Sequence, residues 1–235
     1  MISPLRPLGL VRTFALFGIA GALLYLVTRP GMTWLHEHVG LRPDLAWFVA
    51  GGCLLAGIGL AGLWALRVEQ GSFHKMFERA RFRRPTSRDL SVAAIATVTA
   101  IVLVAALRWV LAQCVDGFSP QPAFVELRAL APGERWVLIA WFPMFVCTIF
   151  GEELTWHGYL LPRNQLCFPR RAWLVNGLGW LLFHVPFGVN VMALLLPMVF
   201  IETYAVQRTG NTWVGVIIHA AFNGPAFLAV AFGVA

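Results

Sequence analysis

Ser91-Val-Ala-Ala-Ile-Ala-Thr-Val-Thr-Ala-Ile-Val-Leu-Val-Ala-Ala-Leu-Arg-Trp-Val-Leu-Ala112 runs for 22 residues with one charge, Arg108. A helix that crosses a bilayer needs ~20 mostly apolar residues, so this stretch reads as a membrane span. Six further blocks read the same way, at roughly 8–27, 45–66, 136–161, 172–187, 190–206 and 213–234. Those at 172–187 and 190–206 are short and meet at Gly188–Asn190, which predicts a tight helical hairpin. The whole chain agrees with its spans. Of 235 residues, 59% are hydrophobic and 12% charged, against ~45–50% and ~25% in soluble domains. That composition excludes a soluble globule and a disordered chain. The expected fold is all-α and polytopic, with about seven transmembrane helices.

The net charge is +7, but the basic residues fall between apolar blocks, which argues against a nucleic-acid face. They set an orientation instead. With the N-terminus in the cytoplasm, cytoplasmic segments hold Arg6, Arg67, Lys75, Arg79, Arg81, Arg83, Arg84, Arg88, Arg163, Arg170, Arg171 and Arg208, twelve in all. The opposite side holds four, Arg29, Arg42, Arg128 and Arg135. The positive-inside rule favours this arrangement and the count of seven. The first block begins like a signal peptide, with Arg6, Arg12 and Ala20-Gly21-Ala22. Its apolar run continues to Val27 without a polar break, so it is read as a retained span. In the polar loop 67–88, Phe73, Met76, Phe77 and Ala80 recur at helical spacing among arginines, as in an amphipathic helix on an anionic leaflet. Residues 1–90 thus form an N-terminal membrane region and 91–235 a second one. Cys53, Cys114, Cys147 and Cys167 have no paired spacing and are read as unpaired thiols.

Polar side chains inside a bilayer are costly and mark function by default. Glu152, Glu153, His157, His184, Glu202, His219 and Asn223 all lie in the last four blocks, which should enclose a polar cavity opening to the cytoplasm or the lipid. Elimination narrows the chemistry. The five serines (3, 72, 87, 91, 119) and the three aspartates (44, 89, 116) lie in loops or at span ends, and no His-Glu-x-x-His string occurs. A carboxylate, two imidazoles and an amide remain, which suffice to activate water and to stabilise an oxyanion. At 1.5 Å per residue, Glu152, His184, His219 and Asn223 lie about 14, 18, 9 and 15 Å from the cytoplasmic span ends, at similar levels. Glu202 reads as a salt-bridge partner of Arg163 or Arg208.

These residues fall into three strings. Glu152-Glu153-Leu-Thr-Trp-His157-Gly158 is similar to a Glu-Glu-x-x-x-Arg-Gly motif. Trp180-Leu-Leu-Phe-His184 is similar to Phe-x-x-x-His, and His219-Ala-Ala-Phe-Asn223 to His-x-x-x-Asn. In order and spacing they resemble the CPBP (CAAX-protease and bacteriocin-processing, abortive-infection-like) family of intramembrane endopeptidases, over about 136–230. The resemblance implies that Glu152 and His184 activate water and that His219 and Asn223 stabilise the oxyanion. Glu153 and His157 would support them. It leaves open a metal-free reaction or one using zinc on Glu152, His184 and His219. Two departures stand out: His157 replaces the motif Arg and Trp180 the motif Phe. His157 lies four residues after Glu153, on the same helix face, and can orient its carboxylate as the Arg would.

The reading is an intramembrane endopeptidase acting on a membrane-associated or lipid-anchored protein. Its rivals are an inactive scaffold of the same fold and a small transporter or proton relay. Polar residues confined to one half of the chain count against inverted repeats. With 17 Arg and one Lys, the composition points to a high-GC genome and a bacterial inner membrane.

Overall fold

The computed structural model describes residues 5–70 and 72–234. Ser3 and the chain limits at 1 and 235 lie outside the described residues. The described chain is helical. Six apolar helical segments are long enough to cross a membrane: Leu10–Val39, Pro43–Glu69, Ser87–Cys114, Val137–Cys167, Val189–Thr209 and Thr212–Ala231.

The first segment comprises α1 (Leu10–Leu26), a π-helical turn at Val27–Gly31 and α2 (Met32–Val39). Pro30 lies within that turn, where its missing N–H and its ring disturb the regular ladder. α3 (Pro43–Gln70) follows. α4 (Phe73–Arg79) buries Met76, and Ala80 after it, against Leu66 and Leu154. Phe73 and Phe77 stay exposed. Half of the expected amphipathic stripe therefore packs on protein instead of facing a leaflet. α5 (Ser87–Cys114) opens with a capping box in which Thr86 and Asp89 satisfy each other's backbone N–H.

α6 (Val137–Glu152) passes into a π-helical segment, Glu153–Leu160, and then α7 (Leu161–Cys167). α8 (Ala172–Phe183) has only 12 residues, about 18 Å. The fifth expected span is thus a short helix, completed by a 3-10 turn at Val185–Phe187. Pro186 explains the early stop, since it has no N–H to continue the α-helical ladder to the Leu182 carbonyl. Gly188 then takes φ +91°, which suits glycine, and α9 (Val189–Thr209) turns back as the expected hairpin. α10 (Thr212–Ala231) is capped by Asn211, whose side chain also donates to Asp89 on α5.

Two sets of hydrogen bonds define the ends of the bundle. At the arginine-rich end, Leu8 N–H donates to the Arg163 carbonyl, Thr212 N–H to the Arg81 carbonyl and Trp173 N–H to Gln207. At the other end, the connection 115–131 is tied down. Ala123 N–H donates to the Phe187 carbonyl, Leu130 N–H to the Ala231 carbonyl and Arg29 to the Ala123 carbonyl. Arg42 pairs there with Asp44 and Glu134, and Arg128 with Glu134.

α3 and α6 approach closely because glycines face each other. A Cβ on Gly59 would come within 3.0 Å of the Gly151 Cα, and one on Gly151 would strike the Leu55 carbonyl oxygen. This contact fixes the depth and rotation of Glu152, the next residue.

Candidate active site

Glu152 ends α6 and is 2% exposed. Its Oε2 accepts from two indoles, Trp180 Nε1 at 2.5 Å and Trp156 Nε1 at 3.2 Å. The two donors lock its rotamer. A cavity of about 210 Å³ begins at this carboxyl, and its walls include Glu152, His184 and Asn223. Most of the other walls are apolar, among them Phe48, Leu55, Met144, Phe145, Phe183 and Leu195. His184 Nδ1 lies 2.9 Å from the Trp180 carbonyl. A carbonyl can only accept, so Nδ1 carries the proton and Nε2 keeps its lone pair when the ring is neutral.

Glu153 looks elsewhere. Its Oε2 lies 2.6 Å from His157 Nδ1 and its Oε1 lies 2.9 Å from His219 Nδ1. His157 Nε2 lies 3.1 Å from Thr203 Oγ1. Thr203 spends its own proton on the Val199 carbonyl. The ring is thus held from both sides, by Thr203 at Nε2 and by the Glu153 carboxyl at Nδ1. The expected Glu153–His157 pairing on one face is present, and both side chains are fully buried.

His219 sits below Asn223 on α10 and is not among the cavity's lining residues; its Nδ1 faces Glu153. The Trp180 ring lies between the two groups, its centroid 5.2 Å from His157, 5.4 Å from His219 and 6.0 Å from His184. The structure thus brings Glu152, His184 and Asn223 to one cavity and joins Glu153, His157 and His219 behind it.

Glu202 corrects the sequence reading. It is fully buried, and its Oε1 lies 3.7 Å from His157 Nδ1 and 4.0 Å from His219 Nδ1. Neither Arg163 nor Arg208 reaches it. Arg163 pairs with Glu69 on α3 and lies over the Tyr159 ring. Among the described residues, neither Glu202 side-chain oxygen has a hydrogen-bond donor. Glu153, Glu202 and His219 each bring one ligand atom within 4.8 Å of the others, a set able to hold a metal ion. The zinc alternative read from sequence used Glu152, His184 and His219, and only His219 is common to both sets.

Sequence reasoning missed the two indole donors, Thr203 and the role of Glu202. For Trp180 the signal was its departure from the motif's Phe, which has no N–H. It also missed a buried polar seam beside the π-helical segment. Asn164 Nδ2 donates to Thr13 Oγ1 and the Leu8 carbonyl, and Asn176 Nδ2 to the Trp156 carbonyl. That seam and the surrounding packing leave Trp156, His157, Leu160, Leu161 and Asn164 at 2% exposure or less. The arginine-rich side of the site is filled by these buried side chains.

A family model described as Type II CAAX prenyl endopeptidase Rce1-like matches residues 134–224. The matched stretch contains all three strings and the cluster around Glu152 and Glu153. It supports a CAAX-protease-like domain at the level of the family, not the identity of a CAAX protease. No curated protein and no solved structure matches the chain.

Proposed function

We propose that the protein is an intramembrane endopeptidase of CPBP type. The observation that carries this reading is the convergence of Glu152, His184 and Asn223, from three separate helical elements, on one mainly apolar cavity. Glu152, held by two indoles, takes a proton from water while the water oxygen attacks the scissile carbonyl. The lone pair of His184 Nε2 orients that water. Asn223 donates to the oxyanion, and His219, on the same face of α10, supports it. As the C–N bond breaks, the proton on Glu152 passes to the leaving amine. Glu153 and His157 hold the frame behind the reacting groups.

The donor set of Glu153, Glu202 and His219, with the orphaned oxygens of Glu202, fits a divalent ion. Such an ion would lie behind the cavity, where it would supply positive charge that braces Glu153 and His219 beside the reacting groups. On this reading the N-terminus lies in the cytoplasm of a bacterial inner-membrane protein; the charge bias and the Arg-rich composition support it. The substrate is a peptide segment of a membrane-associated or lipid-anchored protein.

The test is cleavage of membrane-anchored peptides by the purified protein in liposomes, with and without a chelator. Wild type should cleave and Glu152→Gln should not, although it remains folded and inserted. Equal activity in both would remove Glu152 as the base. Loss of wild-type cleavage on chelation would establish a metal requirement.

A further inference from the structure

Four arginines meet where α5 begins and α9 ends. Arg83, Arg84, Arg88 and Arg208 line a cavity of about 220 Å³, and Thr86 and Thr209 add hydroxyls to its wall. Its one carboxylate, Asp89, is buried and engaged: Oδ2 accepts from the Thr86 N–H and from Asn211 Nδ2. The Thr209 carbonyl, at the end of α9, accepts from Arg83. Arg84, Arg88 and Arg208 are exposed, and among the described residues their guanidinium groups meet no acceptor. Three unpaired cations thus share a cavity with no free negative charge, a repulsion that a bound anion would relieve. The walls are fixed before anything binds. Arg81 takes a left-handed φ of +60°, and its carbonyl accepts from the Thr212 N–H at the start of α10. Thr212 Oγ1 donates to the Ala80 carbonyl. These bonds anchor the linker that carries Arg83 and Arg84 to the α9–α10 turn, and the capping box holds the first turn of α5.

We infer that this pocket binds the phosphate headgroup of an anionic phospholipid. Guanidinium groups match phosphate oxygens with paired N–H donors, and that chemistry alone would also admit free phosphate. The surroundings select the lipid. α5 and α9 are both apolar helices long enough to cross a membrane, and they pack together through Ala93, Ala96 and Ala205. Their ends at the pocket therefore lie at the headgroup level of one leaflet, whichever leaflet that is. Ile95 and Val102 follow Arg88 at seven-residue spacing, on one face of α5, and both are well exposed. Tyr204, half exposed, stands one turn below Arg208 on α9. A phosphate seated on the arginines would lay its acyl chains along that strip, from which a free ion gains nothing. A headgroup with two phosphates matches three unpaired arginines better than one with a single phosphate. A zwitterionic headgroup would bring its own cation among them. Nothing in this binding requires the hydrolase reading. A bound lipid would brace the start of α5 against the turn that joins α9, which carries Glu202, to α10, which carries His219 and Asn223.

Lipid titration of the purified full chain in a neutral detergent tests the site. Native mass spectrometry counts bound lipid, and the melting midpoint reads stabilisation, since a ligand that binds only the folded state raises it. Phosphatidylglycerol and diphosphatidylglycerol should bind saturably and raise the midpoint, the second at lower concentration, and phosphatidylcholine should do neither. Arg84→Gln, Arg88→Gln and Arg208→Gln should each weaken binding roughly fivefold, the worth of one arginine near an anionic headgroup. The triple variant should weaken it by on the order of a hundredfold. Arg170→Gln combined with Arg171→Gln, exposed at the same end but outside the pocket, should bind lipid as wild type does. An equal loss in that pair, or undiminished binding in the triple variant, would show a diffuse basic surface and overturn the site. Equal binding of phosphatidylcholine would overturn the selection by charge. If inorganic phosphate reproduces the midpoint rise and displaces the lipid, the pocket serves a soluble anion and the lipid assignment falls.

Discussion

Glu153→Gln should be among the most damaging conservative substitutions in the chain. The carboxylate meets His157 at 2.6 Å and His219 at 2.9 Å, with Glu153 and His157 fully buried. The carboxylate is the shared partner of both rings, and His157 is held on its other side by Thr203. Removing one partner of a buried pair costs about 3–5 kcal/mol, because the other is left buried without its partner. Against a usual total of ~5–15 kcal/mol that is a large fraction. At ~2–4 °C per kcal/mol for a chain of this size, the melting midpoint should fall on the order of 10 °C. Thermal unfolding in detergent, followed by tryptophan fluorescence, reads the change. Glu153→Gln combined with His157→Gln removes both partners and should lose less than the two single losses added together. Additive losses, or a Glu153→Gln midpoint equal to that of wild type, would refute the pairing.

Asn223→Ala should lower turnover by roughly 10²–10³ with little change in KM, the cost of one oxyanion donor; an effect on KM alone would place Asn223 in substrate binding. Gly151→Ala should destabilise by about 1–3 kcal/mol, since its Cβ meets the Leu55 carbonyl oxygen, whereas Gly57→Ala, with open space around it, should be neutral or slightly stabilising in the same melting assay. The hydrogen bond from Arg128, then that from the Ala131 amide, hold the Glu134 carboxyl down at about 2. The cluster's contribution is therefore fully present above the ordinary carboxylate range and is lost as pH falls through about 2. Pepsin cleavage within 115–135 should rise over that window, and Glu134→Gln should be cleaved readily at its upper end; a flat profile would show that the cluster does not fasten the connection.

Much of the fold was legible because span length and hydropathy are crude quantities that a bilayer enforces. The hairpin was legible too, since Gly188 and Pro186 are local signals. The length of α8 was harder to read. Its apolar run continues past His184, and only the placement of Pro186 stops the helix. The π-helical register of 153–160 left no mark in hydropathy, because each residue stays apolar or inward-facing whether the turn is wide or regular. Depth estimates put the four site residues at one level, but they could not say which side of that level is hollow. That depends on which residues fill the bundle. The space on the arginine-rich side is taken by Asn164, Asn176 and Thr13, residues that look unremarkable in a chain of this kind.

The adjacent glutamates show most clearly where sequence and structure meet. Neighbouring helical residues differ by about 100° around the axis, so Glu152 and Glu153 cannot face the same surroundings. The sequence placed two carboxylates in one span and left their division of roles to the family resemblance. The structure supplies a physical basis for the division. Glu152 meets only uncharged donors, the indoles of Trp156 and Trp180, and lines the cavity. Glu153 is enclosed by two imidazoles and lies against Glu202. A carboxylate that both abstracts and returns a proton needs an open side and no fixed counter-charge. One that holds a frame needs the opposite. Trp180 serves both arrangements at once, since its N–H fixes Glu152 and its ring separates His184 from the buried cluster. A phenylalanine there would keep the wall and lose the bond, so the departures at Trp180 and His157 act on different members of the glutamate pair.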